Sequence, residues 1–412
     1  MVSPKQPTVL YSIRGHTGVK FSYIEEKTPL VWGTDLEETR MEPIKILAVI
    51  GTRPEAVKLC PLVKELKKRR AFRTRVLATG QHGRMCADVL RTFGVRPDRS
   101  FSSMRIGSTP DATAGVILTE MGRILGVEEP DLVIVQGDTT TAFAAALCAF
   151  YRKIPVAHVE AGLRTYDMLS PFPEEWHRRA VGLLSTYHFA PTASAALHLR
   201  TEGVDASKIY TVGNTVTDAL VLTAGRGYDS PLTERLAGKR LVLASFHRRE
   251  NAEHITAMLG ALRDAVGKYR EDTYLLCEAH PNPEMGRAVA AALDSCPFAG
   301  IAQPLPVEEY HALLSHAYFC VTDSGGIQEE AAFLGIPTLI ARESTERPEG
   351  IGCGVLRLCG TDGAVIGAVA EQLLSDASAR ARMAVRTDVY GDGHVSERIA
   401  GILEDVLGVA GD

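Results

Sequence analysis

The sequence lacks paired cysteines and any long uninterrupted apolar segment. Its eight cysteines stand singly, without a Cys-x-x-Cys pair, and most lie inside apolar runs such as 318–321. This spacing argues against a zinc site or a disulfide framework and favours reduced core thiols. No apolar run approaches the roughly 18–20 residues that span a bilayer, and no secretory signal is recognisable. We therefore expect a cytoplasmic protein without a metal site or a membrane partner.

The sequence also lacks a large excess of either positive or negative charge. Lys and Arg total 45 against 50 Asp and Glu, a net charge of −5, and no dense basic stripe occurs. A nucleic acid or an anionic membrane would need clustered positive charge, so neither is expected as a partner. The apolar fraction of 45% is typical of globular proteins, and 412 residues suffice for two large domains.

Short apolar runs alternate with helical stretches from Ile44 onward. Such runs are typical of parallel strands covered by helices on both faces. The alternation predicts an α/β fold of two doubly wound, Rossmann-like units. The predicted strands are 44–50, 75–79, 132–136, 156–158 and 187–189 in the first half, and 209–212, 241–245, 273–278, 318–322 and 338–341 in the second.

The chain divides into four predicted segments. Residues 1–43 are weakly periodic and are interpreted as a leader, either an appended extension or a flexible segment, with a functional tail as the alternative. An N-terminal Rossmann-like domain is predicted over 44–213 and a C-terminal one over 214–389. Residues 390–412 contain an amphipathic stretch that predicts a final helix.

Residues that directly follow the predicted strands are the candidates for a binding site, because ligands of open α/β sheets bind at the carboxyl ends of strands. After the first strand, Thr52 and Glu55 have capping-box spacing at a predicted helix start. Arg53 and Lys58 add positive charge beside that helix start, which favours a phosphate site. An ordinary capped helix with solvated basic residues is the alternative.

A second candidate segment is Ser324-Gly325-Gly326, after an apolar strand, with Glu330 over one turn further on. The glycines let a ligand approach the backbone, and the helix start can hold a phosphate. Glu330 can accept hydrogen bonds from ribose hydroxyls, so the segment suits a nucleoside diphosphate. Neither a GxGxxG after the first strand nor a GxxxxGK[ST] motif is present, which argues against a dinucleotide fold and P-loop hydrolysis.

Acidic residues form the third candidate group. Asp138 and Glu160 each follow a predicted strand, and Glu174 lies in a Pro-Glu-Glu segment. Asp138 alone fits a helix cap equally well, and Glu160 alone fits either a buried structural pair or a site residue. Carboxylates that converge on an anionic ligand point to proton transfer at a sugar carbon. His247 and Arg347 follow strands of the second half and add basic groups, with solvated surface positions as the alternative.

Five segments in this order resemble the non-hydrolysing UDP-N-acetylglucosamine 2-epimerases. They are 51–55, 137–141, 158–165, 247–250 and 323–330, and 345–349 and 390–393 add to the likeness. The resemblance covers about 44–407. It implies a GT-B fold with the active site in the cleft between two Rossmann-like domains, a final helix that returns to the N-terminal domain, and a homodimer.

The resemblance also implies a reaction and a set of site residues. The family interconverts UDP-GlcNAc and UDP-ManNAc without metal or cofactor, by anti elimination of UDP to 2-acetamidoglucal and re-addition. Asp138, Glu160 and Glu174 would be the acid/base carboxylates, and His247 would lie at the diphosphate. The implied substrate-binding residues are Arg53, Lys58, Tyr310, Ser324, Gly325, Gly326, Glu330 and Arg347, with Tyr310 near the uracil.

Two segments depart from the family pattern. The usual Gln-His-Arg-Glu-Met reads Gln-His-Gly-Arg-Met here, so that Gln81 and His82 are the retained candidates for an allosteric UDP-GlcNAc site. His177 stands where the family usually has Asn. The alternatives are a hydrolysing 2-epimerase that releases ManNAc and UDP, a GT-B glycosyltransferase, and a sugar-nucleotide-binding regulator. Exchange of the proton on carbon 2 separates the two epimerases from the other two.

Overall fold

The computed structural model describes residues 42–104, 108–224, 232, 234, 236–248, 251–279 and 282–409. Of the predicted leader, residues 1–41 lie outside the described residues. All eight cysteines are free thiols, and six of them are buried. Across the described ranges, no helix has both the length and the apolar character that crossing a membrane requires.

The first half of the described chain forms a parallel sheet flanked by helices. Its elements are β1 (Ile44–Ile50), α1 (Arg53–Leu66), β2 (Phe72–Ala78), α2 (Gly83–Thr92), β3 (Arg99–Ser100), α3 (Pro110–Glu128), β4 (Leu132–Gln136), α4 (Thr140–Tyr151), β5 (Val156–Val159), α5 (Glu174–Leu184), β6 (Tyr187–Ala190), α6 (Ala193–Thr201), β7 (Ile209–Thr211) and α7 (Val216–Ala224). The strand order is β3-β2-β1-β4-β5-β6-β7. The order reverses between β1 and β4, which is where open sheets of this kind bind ligands.

The second half repeats this plan. Its elements are β8 (Arg240–Ser245), α8 (Ile255–Gly267), β9 (Thr273–Glu278), α9 (Pro283–Leu293), β10 (Ala299–Ala302), α10 (Val307–Ser315), β11 (Ala317–Thr322), α11 (Gly325–Leu334), β12 (Thr338–Ile340), α12 (Glu349–Gly352), β13 (Leu356–Leu358), α13 (Gly363–Ser375), α14 (Ala377–Met383) and α15 (Val395–Val406). The strand order is β10-β9-β8-β11-β12-β13, with all pairs parallel. The predicted α/β architecture of two doubly wound sheets is therefore confirmed.

Most differences from the predicted strands lie at the sheet edges, although β2 also begins three residues before the predicted run 75–79 and ends one residue before its end. The run 209–212 is grouped with the predicted strands of the second half, although it lies within the predicted domain 44–213. It forms β7 and pairs with β6 in the first sheet. Three edge strands, β3, β10 and β13, were not predicted. Each has only two to four residues and includes exposed positions, whereas a central strand such as β4 is buried throughout.

The last helix lies against the first half of the chain. Ile399 and Leu403 of α15 share one apolar core with Leu59 of α1, and α15 also contacts α7. The Asp218 carboxylate of α7 accepts hydrogen bonds from two backbone N–H groups at the start of α15, at 3.0 and 2.6 Å. The described residues from 42 to 409 form one compact unit. The domain boundaries at 213 and 389 stay predictions.

Candidate active site

The start of α1 carries the predicted capping box. Thr52 accepts a hydrogen bond from the Glu55 backbone N–H, and the Glu55 carboxylate accepts from the N–H groups of Gly51 and Thr52 at 3.0 and 2.6 Å. Thr139 donates from its hydroxyl to the other Glu55 oxygen at 2.7 Å. Glu55 is fully buried, and this burial raises its pKa to about 7 despite the hydrogen bonds that its carboxylate accepts. Glu55 thus joins the start of α1 to the turn before α4.

Glu160 is the centre of a buried polar cluster that both halves of the chain build. The Lys58 ammonium donates to its two oxygens at 2.6 and 2.7 Å, and Gln136 donates to Oε2. Oε1 also accepts from Asn214 Nδ2 at 2.8 Å and from Arg347 Nη2 at 3.0 Å. Lys58 and Arg347, both predicted as substrate-binding residues, therefore meet at one carboxylate.

The electrostatics of this cluster shift the pKa values of two neighbouring carboxyl groups, Glu160 and Glu329, in opposite directions. Burial alone would raise the pKa of Glu160, but Lys58 and Arg347 outweigh it and hold the pKa below its ordinary value. Burial and the Glu160 charge raise the pKa of Glu329, although Arg347 opposes them. The backbone of Glu160 has φ 64°, a left-handed conformation that is rare for a side chain of this size and is characteristic of functional sites.

Asp138 and Glu174 lie beside each other near the carboxyl end of β4, the strand next to β5. Asp138 precedes α4 and accepts a hydrogen bond from the Arg178 guanidinium, while Glu174 is the first residue of α5. Burial raises the pKa of Glu174, and the negative charge of Asp138 raises it further. Arg178 and Arg248 act in the opposite direction. The environment of Glu174 thus favours its protonated form, whereas that of Glu160 favours ionisation.

The loop after β8 contributes His247 and Arg248 from the second half of the chain. The Asp323 carboxylate accepts from the backbone N–H groups of His247 and Arg248 at 2.7 and 3.1 Å. The His247 ring lies 2.7 Å from the Ser245 hydroxyl and 3.8 Å from a carboxylate oxygen of Glu278. Residues 249 and 250 of the predicted motif lie outside the described residues.

Arg53 and the two allosteric candidates lie near the starts of α1 and α4. Arg53 donates to the Leu305 carbonyl of the second half at 2.9 Å, and its backbone N–H lies 3.4 Å from His82 Nδ1. Gln81 accepts from the hydroxyl and the backbone N–H of Thr141 at 2.7 and 3.2 Å. Burial, with the Arg53 charge, lowers the pKa of His82. An allosteric role for Gln81 and His82 stays a prediction.

The predicted nucleotide segment begins α11. Ser324 is its N-cap residue, and Gly325 and Gly326 form its first turn. A Cβ atom on Gly325 would lie 2.4 Å from Arg347 Nη1, whereas one on Gly326 would meet nothing within 4 Å. Glu330 is buried, 3.4 Å from the His311 ring.

Tyr310 packs into the apolar core of the second half and is only 5% exposed. The ring therefore serves packing in this structure, and its stacking role near a uracil stays a prediction. Among the described residues, no group of three or more His, Cys, Asp or Glu side chains is arranged to hold a metal ion.

Sequence reasoning missed several residues that contact Glu160, Asp138 or Arg347. They are Gln136, Arg178, Asn214, Glu329 and Glu346. Gln136 ends a buried strand directly before Asp138, and Glu329 precedes a predicted site residue, so position along the chain could have indicated both. Asn214 gives no such signal, because it reaches Glu160 and Glu329 only through the arrangement of the two halves.

The fold and the site define a GT-B enzyme, with two doubly wound sheets and ionisable groups of both halves meeting between them. The sequence model of the family described as "UDP-N-acetylglucosamine 2-epimerase" matches residues 64–404. The chain belongs to this family. A UDP-N-acetylglucosamine 2-epimerase of Bacillus subtilis (strain 168) is 41% identical over 360 residues, which are 87% of this chain and 94% of the relative.

Solved structures of the family superpose along most of the chain. The S. aureus MnaA–UDP co-structure has a TM-score of 0.85 and 38% identity, and the match covers 89% of this chain and 98% of that one. UDP-GlcNAc 2-epimerase from Neisseria meningitidis, bound to UDP-GlcNAc, has a TM-score of 0.84 and 35% identity, covering 88% and 100%. Both similarities support the GT-B fold.

Proposed function

We propose that this chain is a non-hydrolysing epimerase that interconverts UDP-GlcNAc and UDP-ManNAc. The observation that carries the proposal is the pairing of carboxyl groups in opposite environments, with Glu160 held ionised and the pKa of Glu174 raised. Inversion of a carbon centre by elimination and re-addition removes a proton on one face and supplies one on the other. Two carboxyl groups whose pKa values are pushed apart suit these two tasks.

The proposed roles follow from the charges around each group. Glu160 serves as the base, and Lys58 and Arg347 keep its carboxylate ionised. Glu174 serves as the acid, because burial and the negative charge of Asp138 beside it both raise its pKa. Both Lys58 and Arg347 lie within hydrogen-bonding distance of Glu160.

UDP departs by anti elimination, which leaves 2-acetamidoglucal, and then adds back. Arg53, His247 and the start of α11 at Ser324–Gly326 stabilise the leaving diphosphate, with Glu330 at the ribose. Fixed charges and helix N-termini aimed at a developing anion are commonly the largest contribution to such catalysis. The UDP in the S. aureus MnaA structure and the UDP-GlcNAc in the Neisseria meningitidis structure support a UDP-sugar as the ligand.

Proton NMR of the purified protein with UDP-GlcNAc in D2O tests the proposal. The expected result is UDP-ManNAc, with deuterium at carbon 2 of both sugars. Free UDP with ManNAc would instead identify the hydrolysing type. Absence of exchange at carbon 2 would overturn both epimerases and favour a glycosyltransferase. Light scattering of the same sample tests the proposed homodimer.

A further inference from the structure

Two histidine rings hold the turn that carries Asp138. His158 Nε2 lies 2.8 Å from the carbonyl oxygen of Gly137, and His177 Nδ1 lies 3.0 Å from the carbonyl oxygen of Asp138. A carbonyl oxygen only accepts, so each of these ring nitrogens must carry a proton. The two rings therefore donate to successive carbonyls through different nitrogens.

The surroundings of both rings keep them in place. His158 lies on β5, is 0% exposed, and belongs to the strand that pairs with β4 directly before the turn. His177 is 7% exposed and stacks on Phe143 of α4, with ring centroids 5.4 Å apart and planes 11° apart. The turn also needs Gly137, whose φ is 69°.

His177 also connects the turn to the helix of Glu174. Residues three apart lie on the same face of a helix, so α5 presents Glu174 and His177 on one side. Arg178, next to His177, binds the Asp138 carboxylate, while His177 binds the Asp138 carbonyl. The main chain and the side chain of Asp138 are thus both fixed from α5, which sets the spacing between Asp138 and Glu174.

We propose that His158 and His177 are positioning residues that hold the turn 137–139 and thereby place the Asp138 carboxylate beside Glu174, the proposed acid. This inference rests on the proposed epimerase function. Because a displacement of about 1 Å can cost about 100-fold in rate, loss of either hydrogen bond should lower kcat while leaving substrate binding nearly unchanged.

The choice of ring nitrogen gives an atom-specific test. An Asn side chain places its NH2 near the position of His Nδ1, whereas a Gln side chain places its NH2 near the position of His Nε2. His177→Asn and His158→Gln should therefore retain kcat within about threefold, whereas His177→Gln and His158→Asn should lose about 10- to 100-fold, with KM within about threefold in all four. Epimerisation is followed by NMR, and UDP affinity by calorimetry.

His188 supplies the matched control. It is buried on β6, beside His158 in the sheet register, and its ring hydrogen-bonds the Ser185 backbone instead. His188→Asn and His188→Gln should therefore have equal kcat per folded protein. Equal kcat for Asn and Gln at both His158 and His177 would overturn the proposal. If the His158 variants do not fold, the His177 pair decides alone. A wild-type protein that binds UDP without epimerising would overturn the proposed function instead.

Discussion

Arg347 of the second half donates from Nη2 to the Glu160 carboxylate of the first half, at a distance of 3.0 Å. The same guanidinium donates from Nε to Glu329 at 2.8 Å and from Nη1 to Glu346 at 2.6 Å. All four side chains are buried. One buried cation therefore serves three carboxylates, and these neighbouring carboxylates hold its pKa well above the ordinary value in spite of burial.

Replacing Arg347 should destabilise the fold strongly. Arg347→Gln leaves three buried carboxylates without this counterion, and breaking a buried pair from one side commonly costs about 3–5 kcal/mol. Arg347→Lys should recover only part of this loss, because a single ammonium does not reproduce the planar fork of donors. Urea denaturation measures both. Arg270→Gln, which removes an exposed pair with Glu271, should change stability by less than about 0.5 kcal/mol. A loss below about 1 kcal/mol for Arg347→Gln would contradict the assigned role.

The two glycines at the start of α11 should respond differently to alanine. A Cβ at position 325 would lie 2.4 Å from Arg347 Nη1, so Gly325→Ala should displace the guanidinium from its carboxylates and lower stability. Gly326→Ala meets nothing within 4 Å and should be neutral or should stabilise by up to about 1 kcal/mol, because alanine favours helix. Thermal and urea unfolding of the two variants compare them directly. Equal effects would show that Arg347 does not constrain position 325.

The pKa of Glu174 should depend on Asp138. Burial raises this pKa first and the Asp138 charge raises it further, whereas Arg248 and Arg178 lower it. Asp138→Asn removes the negative charge and leaves Arg178 without its partner carboxylate, so both changes lower the pKa of Glu174. Carbon-13 NMR titration of the Glu side-chain carboxyl carbons measures the shift. Glu174→Gln identifies the resonance, and an unchanged titration in Asp138→Asn would contradict the coupling.

The central parts of the fold and of the site could be predicted from the sequence, because they depend on local pattern. The apolar run of β4 is buried along its whole length, and Asp138 and Glu160 follow β4 and β5 as expected. Side-chain partners between the halves could not be predicted in this way. Arg347 and Glu160 are 187 residues apart, and no local period connects them.

The environment of Tyr310 could not be predicted from the sequence either. Its position in the chain is compatible with stacking on a base or with packing in a core, and only the neighbouring Leu313 and Leu314 and the strands of the second sheet distinguish these environments. The roles of the sequence-predicted site residues beyond their observed contacts stay predictions.

Glu55 should make stability depend on pH near neutrality. Burial raises its pKa to about 7, so between its unfolded and folded pKa values the folded state binds more protons than the unfolded state. Stability from this group is therefore highest below its unfolded pKa and falls as pH rises through about 7, by about 3 kcal/mol when ionisation is complete.

Glu55→Gln should remove this pH-dependent component, because an amide does not ionise. The amide oxygen still accepts from the Gly51 and Thr52 N–H groups. Urea denaturation at pH 6 and pH 8 should show a smaller difference in Glu55→Gln than in wild type, whereas Glu253→Gln, at an exposed position, should behave like wild type. Identical pH dependence in Glu55→Gln and wild type would show that Glu55 keeps an ordinary pKa, and the start of α1 would then contribute no titration near neutral pH.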